Sequence, residues 1–204
     1  MAKINFSGWY FEKGIKSLMR SFDTAGAAIL RECDKALTEQ SDYEKFLDDG
    51  GELECECDGD GFILWDKQTA LQIEVASLKD AAISLRKAFA IQLYHHWERS
   101  AQGWTGSAAN ARHEDLVAKA RVKGLPIDDR LDVVRMLANT LKHGSPHYGR
   151  KLLTAWPEIL AIPNPAATAI DWYAAVTLSD AQVKEVATIV AGSGPKCTID
   201  DLDL

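Results

Sequence analysis

Long apolar runs are missing from this chain, and their absence excludes a helix that spans a bilayer. No stretch approaches the roughly 18 to 20 apolar residues such a helix needs. The opening MAKINFSGWYFEKG also lacks the apolar stretch and small-residue cleavage site of a secretory signal. Cysteine is scarce. Cys33, Cys55, Cys57 and Cys197 make no disulfide framework in 204 residues, so the expected compartment is the reducing cytoplasm, away from any membrane. Cys55-x-Cys57 has no second pair at a zinc-ligand spacing in the chain, since only the isolated Cys33 and Cys197 remain. Asp58-Gly-Asp60-Gly has Phe62 where a calcium loop needs its third acidic position, and it reads as a hairpin turn. Gly192-Ser-Gly-Pro195 is followed by no Lys-Ser/Thr pair and is no phosphate loop. No metal and no cofactor is expected.

Basic charge is also in short supply overall. The net charge of -7 argues against a protein coated with nucleic acid, yet its distribution is uneven. Between Arg112 and Lys151, nine Lys/Arg face five Asp/Glu, for a net +4; elsewhere 14 face 25, for -11. A basic segment in an acidic protein suits a local phosphate-binding face or, more plainly, a solvated pair of helices.

What is present is hydrophobic periodicity. With 47% hydrophobic and 26% charged residues, the chain has enough apolar material for one helical domain, expected over 1–192 with a tail over 193–204. Ile15, Leu18, Met19, Phe22, Ala25, Ile29, Leu30, Cys33 and Leu37 predict a helix over 15–40, which Ser41-Asp42 either breaks or follows with a short turn of helix ending at Asp48-Asp49-Gly50-Gly51. The alternating, turn-rich 52–65 predicts a small hairpin insertion with arms Glu52 to Cys57 and Gly61 to Trp65. From 67 to 100, Leu71, Val75, Leu78, Ala82, Leu85, Phe89, Leu93 and His96 form one apolar seam of a central helix. A flexible loop is expected at AQGWTGSAAN, then a charged helix over 113–123 stopped by Gly124 and Pro126. A helix to His143 starts after Asp128 or Asp129, and further helix over Leu152 to Leu160 precedes a loop at IPNPAA. Asp171 to Val176 reads as one short strand, and Thr177 or Ser179 opens a last helix to about Ala191. The fold class is therefore mainly α, a helical bundle with a small β-hairpin and one further short strand. Trp9, Tyr10, Phe11 and Trp104 read as packing aromatics, with partner binding as their sharper use.

The stretch richest in chemistry is Arg130 to Gly144, RLDVVRMLANTLKHG. At about 100° per residue, Asp132, Arg135, Asn139, Lys142 and His143 share one edge of a helix otherwise fit for burial. An Arg followed by a His near a helix end, in a small all-helical domain, resembles the HEPN superfamily, and LANTLKHG looks like helix ends in HEPN-like bacterial proteins. The resemblance covers the helices over 67–100 and 128–143. The family's motif sets its Arg and His closer than the seven residues between Arg135 and His143, and follows the Arg with a polar residue where this chain has Met136.

The resemblance implies a toxin or defence protein directed at RNA, a metal-independent endoribonuclease with a site shared across a homodimer. His143 would exchange protons, Arg135 and Lys142 would hold the phosphate, and Asn139 would orient the site. Asp132 and His96 would line the substrate side. The same residues have a structural reading, since Lys-His-Gly is what a helix C-terminus favours. The alternative function is a non-catalytic interaction or regulatory module working with a cognate protein. His96, at the end of the apolar seam, is expected to point inward toward the polar edge; His95 points elsewhere.

Overall fold

The computed structural model describes residues 5–162 and 169–197 and is mainly helical. In chain order, its elements are α1 (Phe6–Asp48), the strands β1 (Cys55–Cys57) and β2 (Ile63–Asp66), α2 (Lys67–Thr105), α3 (His113–Val122), α4 (Leu131–His143), α5 (Pro146–Ala155), a 3-10 turn (Pro157–Ile159), α6 (Trp172–Ala175) and α7 (Asp180–Ala191). The chain divides into two compact units, a larger one of residues 1–22 and 86–204 and a smaller one of residues 23–85; each takes part of α1 and part of α2.

In the smaller unit the antiparallel hairpin pairs Cys55 with Asp66, Glu56 with Trp65 and Cys57 with Ile63, with a bulge between Glu56 and Cys57. Asp58 makes its turn. Its carboxylate accepts from the Asp60 and Phe62 amides at 3.0 and 2.9 Å, and Gly61 adopts φ 86°, which glycine reaches without strain. Ala36, Tyr43, Leu71 and Val75 are buried. α1 does not break at Ser41-Asp42. No Pro or Gly lies there, Tyr43 is buried, and its hydroxyl accepts from the Glu54 amide at 2.9 Å, so the helix continues to Asp48 before Gly50-Gly51.

In the larger unit, Leu131, Val134, Leu137 and Leu141 of α4 are buried, as are Leu152, Ile159, Val183, Val186 and Val190. α7 begins where its sequence predicts, with the Ser179/Gln182 capping box in place. Three expectations are corrected. Asp171 to Val176 is no strand: the Asp171 carboxylate caps a single helical turn by accepting from the Ala174 amide at 2.9 Å, and only Val176 bridges to Leu160. The expected loop at AQGWTGSAAN begins later. Ala101 is buried, Trp104 packs edge-on against Phe11 at 4.8 Å, and α2 runs on to Thr105. The tail is not loose as far as it is described. Ser193 is buried; its carbonyl accepts from Trp97 Nε1 at 2.6 Å, its hydroxyl donates to the Ile189 carbonyl at 2.8 Å and accepts from the Asp128 amide at 3.1 Å. Most of the expected IPNPAA loop (residues 163–167) and the end of the tail lie outside the described residues.

Gly149 of α5 is a close approach. A Cβ there would stand 2.1 Å from the Trp172 ring of α6. Gly149→Ala is therefore expected to lower stability in urea unfolding by about 1–3 kcal/mol. Gly103→Ala, on an exposed helical position with open space around it, should raise stability by about 0.5–1 kcal/mol. Stabilisation by both alanines would refute the close packing of α5 on Trp172.

Candidate functional site

The apolar positions of α4 fix where its polar edge goes. With Leu131, Val134, Leu137, Ala138 and Leu141 buried, Asp132 and Arg135 come up against α3. Arg135 Nε donates to Asp132 Oδ1 at 2.7 Å, its guanidinium lies 3.5 Å from Glu114 Oε1, and its plane stands 5.7 Å from the centre of the Tyr148 ring. Only 14% of the Arg135 side chain is exposed. Burial works against its charge, but the bond it donates to Asp132 and the charges of Asp132 and Glu114 prevail and hold it firmly protonated.

Behind this pair lies His113, the first residue of α3, which no spacing along the chain singles out. Its Nδ1 is 3.1 Å from the Tyr94 hydroxyl of α2, and its Nε2 is 3.8 Å from Asp132 Oδ1. Burial pushes the Tyr94 phenol up, so it keeps its proton, and the hydroxyl and Nδ1 share one hydrogen bond whose donor is set by the imidazole tautomer. Burial, helped by the Arg135 charge, depresses His113 to about 4 despite the opposing pull of Asp132 and Glu114. Tyr94, His113, Asp132, Arg135 and Glu114 thus form one chain of polar contacts joining α2, α3 and α4.

The other expected residues are dispersed. Asn139 is half-buried one turn beyond Arg135, while Lys142 and His143 are exposed in the last turn. None of these three has a hydrogen bond or ion pair among the described residues. Gly144 follows at φ 58°, its amide bonded to the Thr140 carbonyl at 2.9 Å, which is the left-handed stop that Lys-His-Gly suggests.

His96 is not with them. The seam turns to the neighbouring position, where Trp97 is fully buried, and His96 rotates away to stack on Phe11 at 5.3 Å and bond the Phe11 carbonyl from Nε2 at 3.0 Å. Gly14 makes room for it, since a Cβ there would reach the imidazole at 2.2 Å. His96 instead lines an open cavity of about 490 Å3 with Ser7, Tyr10, Arg99 and Trp104. The histidine near the stripe is His95, which burial and then the Lys142 charge hold below its ordinary value.

Chemically, this arrangement can fix a guanidinium and keep an imidazole neutral. It does not present a free cation pair to a phosphate, because the Arg135 charge is met by two carboxylates. No family model matches the chain, and no curated protein and no solved structure is similar to it. The HEPN resemblance therefore stands on the residues of α2 and α4 alone.

A depressed histidine makes stability depend on pH. Below 6.5 the unfolded chain takes up a proton that the folded chain refuses until about 4, so stability is full above pH 6.5 and falls through that window. Wild-type protein should lose on the order of 2 kcal/mol between pH 7 and pH 5 from this group, read as a shift in urea midpoint. His113→Gln should show a visibly flatter dependence over the same range. Identical slopes for the two proteins would remove His113 from the account.

Proposed function

We propose that this protein is a non-catalytic interaction module. One observation carries the reading. Phe62, Ile63, Leu64 and Trp65, at and beside β2, are 70%, 54%, 70% and 45% exposed. They lie in a unit where five Lys/Arg face sixteen Asp/Glu, a net -11. A run of exposed apolar residues in a strongly acidic unit is the physical form of a protein-docking surface, and the unit's negative charge repels nucleic acid. The compensation of Arg135 supports the same reading, because a phosphate would have to displace Asp132 or Glu114 to use it.

The RNA-directed reading is the second one, and it is favoured by the exposed, unengaged Lys142 and His143 with His95 within reach of the Lys142 charge. As a nuclease the protein would use His143 for proton exchange and Lys142 for the phosphate, in a homodimer that completes the site.

Two experiments separate these readings. A photo-crosslinking amino acid at position 62, introduced in the native host, should give a discrete protein adduct that disappears when Leu64→Asp is added. The same probe at position 122, an exposed valine of α3, should give none. End-labelled RNA incubated with wild-type or His143→Ala protein in excess EDTA should remain intact with both. Cleavage by wild type that is lost in His143→Ala would replace the interaction reading with the nuclease.

A further inference from the structure

Cys55 and Cys57 are separated by one residue on β1, and side chains two apart on a strand leave it on the same side. Their sulfurs are 3.9 Å apart and both residues are exposed. Zinc holds thiolates at about 2.3 Å in a tetrahedron, which sets neighbouring sulfurs about 3.8 Å apart. The pair therefore already spans one edge of a zinc-thiolate tetrahedron without rearrangement. Around it, Glu52, Glu54, Glu56, Asp58, Asp60 and Asp66 face a single Lys67 in the same stretch, a field that concentrates divalent cations.

A closed zinc site takes four protein ligands, and this chain supplies two. No third His, Cys, Asp or Glu completes a set with them among the described residues. An exposed hairpin can, however, be met by an identical hairpin.

We propose that Cys55 and Cys57 are half of a tetrahedral zinc site whose other half is the same pair from a second copy of this chain. One Zn2+ binds four thiols, forming four Zn–S bonds and releasing four protons to solvent, with no change of oxidation state. The two acidic hairpins repel each other when the metal is absent, so the pairing depends on it. This site goes beyond the interaction reading and does not depend on it: a docking surface that fails to crosslink leaves the thiols in place, and the converse holds.

The test uses the full chain, reduced and stripped of metal, titrated with Zn2+ under a non-chelating phosphine reductant. Native mass spectrometry and light scattering should show a doubling of mass with one zinc per two chains, reversed by EDTA. Co2+ in place of zinc should give the intense visible bands of a tetrahedral thiolate site. Cys55→Ser and Cys57→Ser should each abolish zinc-dependent doubling, and Cys33→Ser should leave it intact, with far-UV circular dichroism confirming that each variant is folded. A protein that stays monomeric with zinc, or takes one zinc per chain, overturns the proposal. So does a zinc-dependent dimer that persists when both Cys55 and Cys57 are serine.

Discussion

A guanidinium with 14% of its side chain exposed must be answered by negative charge, and the arrangement of α3 against α4 follows from that requirement at Arg135. An unpaired buried charge costs several kcal/mol, which is why removing one partner of such a pair is far more damaging than exchanging the whole pair for apolar groups. Asp132 meets the charge from three residues earlier on the same helix, and Glu114 meets it from α3. Asp132 then has an oxygen in common between Arg135 and the imidazole face of His113, whose other nitrogen is taken by Tyr94. The result is a polar bolt. Its members are satisfied by one another, and that is the reason they are poor candidates for binding something else.

How far this was legible in the sequence depends on what each element needed. The capping box at Ser179 and Gln182, the Asp58 turn and the left-handed stop at Gly144 are local chemistry, set by residues within four positions, and each forms where the sequence places it. Asp171 to Val176 went the other way. Trp172, Tyr173 and Val176 favour a strand by composition, but one carboxylate at Asp171 satisfies the amide of a helical turn, and the pairing with the segment at Leu160 is confined to the single bridge at Val176. The seam of α2 shows the sharper limit. Over about seven turns a four-and-three pattern drifts, and a displacement of one residue rotates a side chain by about 100°. Trp97 and Tyr94 therefore took the buried positions that His96 had been expected to close. Asp132 and Arg135 of the candidate stripe bond to one another, yet their neighbours His113, Glu114 and Tyr94 lie 18 to 41 positions away along the chain. Only the packing of three helices brings them in.

The charge pattern carries a different kind of information. Divided by compact unit, the total of -7 resolves into -11 on residues 23–85 and +4 on the remainder. A segment of 63 residues with that imbalance pays in self-repulsion, and nothing in its own packing requires it: Ala36, Tyr43, Leu71 and Val75 form its buried set, and Lys67 offsets only Glu54 by direct contact at 2.8 Å. The apolar residues beside β2 compound the cost, since they leave surface in water that folding did not cover. Both features are unfavourable for an isolated chain and become favourable when something of complementary character is held against them.

A two-stranded hairpin is in itself weakly stable, and its edges are unpaired. Here it is held at its base by the Glu54 amide on the Tyr43 hydroxyl and by Lys67 over the Tyr43 ring at 4.9 Å, so its strands are presented in a fixed register rather than free to slip. Fixing the register also fixes the strand from which Cys55 and Cys57 project, with their sulfurs 3.9 Å apart. Ligand spacing read along one chain cannot register a site of this type. It searches for four donors in sequence, whereas a pair positioned by a hairpin and doubled by symmetry needs only two, and the geometry of those two is the information the sequence lacks.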